Sequence, residues 1–366
     1  MKTYLPQKIL YGSSLRWILM HDAEKALKSL GIRILQPIID ETFPTLKIPD
    51  RKTNNIVFDD TINQYVLGPS LSVRDSSNVK HVRSFTQLTW AAAFAKELIQ
   101  ASRTSSLRDL YYSAEAFGIN FNNQSESDRI VTDLECLTGL PRESLGIYPE
   151  EHSSIYGKVK MRYTVSGYEG KEIDLTVSPD GLPIGPALMT AEPIDSEAKI
   201  VLAVESGGMF SRLIETRAWD RFSAVLVQLG GQPPRATRRL MRNLHTSLEL
   251  PVYIFTDGDP WGMHIAKVIT SGSANAAHIK DLTIPSAKWI GVTPEDITEY
   301  ALPTESMNNA DLKRLDELSR DVRYNDPVWQ SHIHRFKQMR SKAEQQAFSR
   351  HGMDYVVDTY LSDKLL

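Results

Sequence analysis

The chain has 366 residues, of which 41% are hydrophobic and 24% charged, and a formal net charge of −3. That length exceeds one small core and suits two or three domains, and the composition excludes wholesale disorder. The charge excludes a globally basic DNA wrapper while leaving room for a local basic groove.

The single cysteine, Cys136, rules out an internal disulfide and a thiolate zinc cluster, as expected in a reducing compartment. Met1 to Leu30 lacks an apolar core followed by a small-residue cleavage site, and no run of about 18 apolar residues occurs. The expectation is a cytoplasmic protein, neither exported nor membrane-spanning.

Residues 1–70 read as an irregular N-terminal region with one helical stretch, His21 to Leu30, and a hairpin made by Asn55 to Phe58 and Gln64 to Leu67. From Ser84 the apolar residues Phe85, Leu88, Ala92, Phe94, Ala95, Leu98 and Ile99 recur at helical spacing, and no Gly or Pro intervenes through Arg103. Ser105 or Ser106 can cap a second helix running to about Phe117. Ser127 can cap a third, Asp128 to Leu137, which Gly139 and Pro141 end. Short β-prone pieces follow, Ile155 to Val165 and Ile173 to Val177, parted by Gly167-Tyr168-Glu169-Gly170. Helix, helix, helix and hairpin predict a winged-helix domain over 71–150 with a β-hairpin connector over 151–197.

After the turn-rich Ser178 to Ser196, four apolar runs alternate with helical segments: Ile200 to Val204, Ala224 to Leu229, Val252 to Phe255 and Trp289 to Val292. Parallel strands covered on both faces read this way. Residues 198–366 are therefore predicted to be one α/β domain with a mainly parallel sheet, closed by charged C-terminal helices. The fold class is mixed α and β, multidomain. Internal repeats and low-complexity tracts are absent.

Glu205 directly follows the first of these runs, and Asp257-Gly258-Asp259 follows the third. In open α/β sheets ligands gather at the carboxyl ends of strands, and Gly258 lets the loop turn both aspartates to one point. Three hard oxygen donors so placed suit Mg²⁺, which keeps waters and bridges to phosphate. The plain alternative is that Asp257 to Pro260 is only a turn.

Upstream, Leu107-Arg108-Asp109-Leu110-Tyr111-Tyr112 offers a nucleophile. A tyrosine hydroxyl titrates near pH 10 and needs help from a base, metal or cation. Arg108 lies one helical turn before Tyr112, on the same face, while Tyr111 points about 100° away and is expected to pack. The alternative is a pair of core aromatics.

The segment 199–245 carries eight cations against three anions. Within it, Gly230 to Arg239 leads from a strand end into a helix N-terminus, a place that favours phosphate, so Arg235, Arg238 and Arg239 are candidate DNA contacts beside a solvated-face alternative. Arg129, on the predicted third helix, is a fourth, reading shape or backbone rather than bases because Asp128, Asp133 and Glu135 share that helix. His152, His264 and His278 show no ligand spacing and are read as structural. No Gly-x-x-x-x-Gly-Lys-Ser/Thr stretch occurs, so any ATP chemistry must come from a partner.

Taken together and in order, Leu107 to Tyr112, Ser127 to Leu134, Val204-Glu205, Gly231 to Arg239 and Asp257 to Gly262 resemble the A subunit of DNA topoisomerase VI and its relative, the meiotic double-strand-break transesterase. The resemblance spans about residues 85–300. It implies a winged-helix (CAP-like) domain with Tyr112 as nucleophile and Arg108 beside it, then a Toprim domain whose Glu205, Asp257 and Asp259 hold Mg²⁺. It implies a nucleoid-associated homodimer in which one protomer's tyrosine meets its partner's acids, and an ATPase B subunit in an A2B2 heterotetramer. The implied activity is an ATP-dependent type II (IIB) DNA topoisomerase that cleaves through a 5′-phosphotyrosyl link, to relax supercoils and decatenate DNA. Two departures stand out: Ser206 where many relatives carry lysine, and Trp261 where tyrosine is frequent. The alternatives are a break-making transesterase without strand passage, a winged-helix regulator with an inert α/β domain, and a metal-dependent Toprim nuclease or primase.

Overall fold

The computed structural model describes residues 14–149, 153–279 and 282–366. Helix α1, Ser14–Ile39, extends past both ends of the expected stretch, with Ala23, Leu27 and Leu30 buried at helical spacing. Four strands follow: β1 (Thr45–Pro49), β2 (Ile56–Asp59), β3 (Gln64–Leu67) and β4 (Leu71–Asp75). β2 and β3 form the expected antiparallel hairpin. β1 and β4, which the sequence reading overlooked, pair antiparallel from Thr45↔Asp75 to Pro49↔Leu71, with Leu46 and Ile48 turned into the core.

Helix α2, Val79–Gln100, starts earlier than the periodicity implied, because Asn78 caps it by accepting from the Lys80 N–H and its first turn is exposed. The short strand β5, Ser105–Ser106, leads into α3, Leu107–Ala116. Of the two candidate caps Ser106 is used: its Oγ accepts from the Asp109 N–H at 2.9 Å while the Asp109 carboxylate takes the Ser106 N–H at 3.3 Å. Helix α4, Gln124–Thr138, corrects the third expectation. Its cap is Asn123, and Ser127 is a buried residue inside the first turns. The helix stops at Gly139, left-handed at φ 69°, as expected. Strand β6, Ile147–Tyr148, pairs with β5, and α1 to α4 enclose one core that includes Leu88, Leu110, Val131 and Leu134.

The next segment builds β7 (Ser154–Tyr156), β8 (Val159–Arg162), β9 (Glu172–Asp174), β10 (Leu182–Pro183), helix α5 (Pro186–Met189) and β11 (Glu192–Ser196). β8 and β9 are the antiparallel hairpin the sequence suggested, and β11 adds a third strand beside β8. β7 instead joins the main sheet, and Ile155, Val159 and Met161 share a core with Val201 and Val225.

That sheet runs through β12 (Ile200–Val204), α6 (Gly207–Glu215), α7 (Ala218–Arg221), β13 (Ala224–Gln228), α8 (Arg235–Leu248), β14 (Val252–Phe255), α9 (Pro260–Ser271) and β15 (Lys288–Gly291). The four expected strands are all present and mutually parallel, in the order β10-β7-β13-β12-β14-β15 with an antiparallel edge. Successive residues of β12 point to opposite faces, so Val201 and Ala203 enter one core and Leu202 and Val204 the other. The second core also holds α10 (Pro294–Glu299), α11 (Asn309–Leu318), α12 (Pro327–Met339), Phe348 and Tyr360, so the charged C-terminal region packs on the sheet as expected. Among the described residues no helix is long and apolar enough to cross a membrane.

Candidate active site

β12 and β14 are neighbours, so their carboxyl ends bring Glu205 and Asp257 together although 52 positions separate them in sequence. The Asp257 N–H donates to Glu205 Oε2 at 2.9 Å. Asp259 caps α9, its Oδ1 accepting from the Gly262 N–H at 2.7 Å. The turn between them is tight: a Cβ on Gly262 would lie 2.2 Å from the Asp257 carbonyl oxygen.

A segment that the sequence reading passed over completes this edge. Residues 342–346 cross it, and Gly258 and Ala343 form an isolated antiparallel bridge through hydrogen bonds of 2.7 and 3.2 Å. The Gln345 N–H donates to Asp257 Oδ1 at 2.8 Å. The fully buried Gln345 side chain braces both strand ends, accepting from the Ser206 N–H at 3.0 Å and donating to the Phe255 carbonyl at 3.0 Å. Ser206 Oγ accepts from Gln346 Nε2 and caps α6, so position 206 is a structural hydroxyl here. The only advance sign was a polar Glu344-Gln345-Gln346 run inside an otherwise helical region.

Burial, and next the Asp257 charge, push the Glu205 carboxyl up to about 8. Burial likewise pushes Asp257 up to about 6, against the pull of the Gln345 N–H, and raises Asp259. Acids crowded and desolvated in this way favour a cation among them. Each is restrained through one oxygen, leaving Glu205 Oε1, Asp257 Oδ2 and Asp259 Oδ2 outside these bonds. Among the described residues no group of three His, Cys, Asp or Glu side chains is placed to hold a metal ion. A cation drawn to this edge would keep most of its ligands as water, as a hard ion such as Mg²⁺ does.

Tyr112 stands on α3, 53% exposed, with the Arg108 guanidinium 5.9 Å from its ring centroid. Tyr111 is the packed member of the pair, set edge-on to Tyr112 at 5.3 Å and tilted on Phe121 at 6.4 Å. Arg129 is exposed on α4.

The basic segment reads differently in three dimensions, because Arg217, Arg221 and Arg235 are ion-paired and Arg238 is buried. Arg235 is 11% exposed at its side chain and donates to Glu135 through both terminal nitrogens and to Glu143 Oε2 at 3.1 Å. Arg238 is buried, and burial depresses its pKa to about 10. Neither guanidinium therefore stands open at the surface, where the sequence had suggested a DNA contact. Arg217 pairs with Asp220 and Arg221 with Asp358. Arg239 is half-buried at a cavity of about 60 Å³ between the α2 end and α8.

Of the histidines, His278 Nε2 meets Glu135 Oε2 at 3.1 Å, and His264 is half-buried with its pKa pushed down to about 3 by desolvation and then by Arg314 and Arg323. His152 lies outside the described residues.

Two family models match the chain: the Toprim domain of Spo11 and of the topoisomerase 6 A subunit over residues 200–365, and "Type IIB DNA topoisomerase" over 83–147. The A subunit of type 2 DNA topoisomerase 6 from Methanothermobacter thermautotrophicus is 43% identical over 343 residues, which cover 93% of this chain and 96% of that protein. Its namesake from Archaeoglobus fulgidus is 37% identical over 94% of this chain and 98% of its own length, and that from Methanocaldococcus jannaschii 36% over 94% of each. With likeness of this extent running from the α3 region through the acidic sheet edge, the chain belongs to the family of type 2 DNA topoisomerase 6 A subunits, the catalytic chains of type IIB DNA topoisomerases.

Proposed function

We propose that this chain cleaves and rejoins duplex DNA with Tyr112 as nucleophile, as the A subunit of an ATP-dependent type IIB topoisomerase. The carrying observation is the contrast on α3: Tyr112 is exposed beside Arg108, while Tyr111 is packed. Tyr112 Oη attacks a DNA phosphorus, a 5′-phosphotyrosyl bond forms, and the 3′-oxygen leaves and takes up a proton. Resealing is the reverse attack by that 3′-hydroxyl. The exchanged bonds are alike, so cleavage itself needs no ATP, whereas directed passage of a second duplex does.

Arg108 steadies charge on the phosphate in this reading, in the manner of a guanidinium pairing with phosphate oxygens. Glu205, Asp257 and Asp259 hold Mg²⁺, which when bound supplies a positive charge to the phosphate oxygens. The helices over 71–150 form the winged-helix DNA-binding part, and the exposed Arg129 with Arg239 contact the backbone. Two copies assemble so that each tyrosine serves its partner's acids, and an ATPase B subunit completes an A2B2 assembly acting on nucleoid DNA in the cytoplasm.

The test is to incubate the chain, with and without an ATPase B subunit, with end-labelled duplex and Mg²⁺, then denature and look for label retained on protein. Tyr112→Phe is expected to abolish retention while leaving DNA binding nearly unchanged. Retention by that variant refutes the assignment. Relaxation of supercoiled DNA only when ATP and the B subunit are both present separates strand passage from simple break-making.

A further inference from the structure

The metal edge is strongly acidic. Glu344 adds to Glu205, Asp257 and Asp259, and its charge is felt by both Glu205 and Asp257. A polyanionic strand approaching four carboxylates is repelled unless cations face it. Position 206, directly after Glu205, is a neutral serine and offers no such charge; its hydroxyl is engaged as the α6 cap and by Gln346.

The cation comes from far along the chain. Lys342 begins the segment that bridges Gly258, and its Nζ lies 3.0 Å from Asp311 Oδ2 with the side chain 23% exposed. Asp311 is itself fixed: it closes the capping box of α11, taking the Asn308 N–H at 3.1 Å, and accepts from Trp261 Nε1 at 3.2 Å. The lysine therefore stands on a rigid support, and its charge reaches both Asp257 and Asp259. Lys342, Ala343 and Glu344 also line an open cleft of about 340 Å³, walled by Pro303 to Glu305 and Ala347. The strand residues that form this wall are the ones bonded to the turn between the two aspartates. A ligand in the cleft thus meets Lys342 and a wall whose Ala343 is bonded to the turn between the two aspartates.

We propose that Lys342 is the phosphate-binding cation of the cleavage centre: its ammonium, steadied by Asp311 at the cleft, contacts the backbone phosphate of the DNA strand brought to Glu205, Asp257 and Asp259. Asp311 is a positioning residue, and Lys342 touches the substrate. This inference rests on the reading of those acids and Tyr112 as the DNA-cleaving site.

The plain alternative is a lysine that only ties the 342–346 segment to α11, and the experiment separates the two. The full chain with its ATPase partner, Mg²⁺ and labelled duplex is compared with Lys342→Met, Lys342→Arg and Asp311→Asn. Covalent capture is followed over a range of DNA concentrations, and the unfolding midpoint of each variant is measured alongside. Lys342→Met is expected to slow maximal capture about 100-fold, as when one charge-stabilising donor is removed. The slope of log affinity for DNA against log salt should also fall by about one. Lys342→Arg, which keeps the charge, should recover capture to within about tenfold of wild type. Asp311→Asn should lower capture less than Lys342→Met does.

Wild-type capture rate and salt slope in Lys342→Met overturn the proposal. So does loss of capture in Asp311→Asn and Lys342→Met alike, tracking their unfolding midpoints with no rescue by arginine. A wild-type chain that retains no label sinks the reading of the site and this inference with it, whereas normal wild-type capture with an indifferent Lys342→Met sinks the inference alone.

Discussion

Replacing Glu135 with glutamine tests how the α-helical unit is fastened to the sheet domain. The Glu135 carboxylate accepts from both terminal nitrogens of Arg235 on α8, from the Arg142 N–H at 2.6 Å, and faces His278 Nε2 at 3.1 Å, with none of its side chain exposed. Burial alone would raise its pKa, yet His278 and Arg235 bring it down from 4.5 to about 2. A gap of about 2.5 pH units corresponds to about 3 kcal/mol of stability at neutral pH, in line with the roughly 3–5 kcal/mol lost when a buried ion pair is broken from one side. Because the folded pKa is the lower one, this stability is fully present above pH 4.5 and disappears as pH falls through about 2.

Urea unfolding followed by circular dichroism should therefore place Glu135→Gln about 3 kcal/mol below wild type at pH 7.5, with the gap shrinking steadily below about pH 4.5. A gap under about 1 kcal/mol at pH 7.5, or one that does not change with pH, refutes the argument.

The acidic edge carries the opposite sign. Glu205 and Asp257 are pushed up to about 8 and about 6, so without metal the folded chain holds protons that the unfolded chain has released, and stability falls as pH rises through those values. In EDTA the wild-type melting temperature should drop from pH 6 to 8.5, Glu205→Gln should be flatter, and Mg²⁺ at pH 8.5 should raise the wild type more than the variant. Gly258→Ala places a Cβ 3.0 Å from Val292 Cγ1 and 3.1 Å from the Ala343 carbonyl, forcing the bridging segment away. It should cost about 1–3 kcal/mol in urea unfolding and weaken Mg²⁺ affinity measured by calorimetry; unchanged Mg²⁺ affinity would separate the bridge from the metal edge.

What the sequence made legible was local. Each β-run that became a central parallel strand is apolar on both faces, and Glu205 and Asp257 could be placed because strand ends are marked by where such runs stop. Ser106 and Gly139 were readable because caps act within three or four residues. The Asn123 cap carried its own signal, Glu126 three positions on, whose carboxylate takes the Asn122 N–H at 2.6 Å, but Ser127 drew attention one turn too late.

Long-range pairing was not legible. A count of cations over 199–245 cannot see that Arg235 answers Glu135 and Glu143, about 100 positions earlier, or that Arg238 is buried. The bracing of Asp257 by Gln345 spans 88 positions and leaves no periodic trace. β1 escaped because Pro44 and Pro49 bound it, although its alternating burial is regular.

The crossing of the acidic edge by residues 342–346 has an implication for when the protein can act during its own synthesis. A nascent chain that has emerged as far as α11 already contains Tyr112 and all three acids, yet the peptide that pins Asp257 and joins the two strand ends is still to be made. The acidic sheet edge is thereby left unbraced on the ribosome until residues 342–346 have been made, and it comes together only when that late segment closes on strands made about 90 to 140 positions earlier.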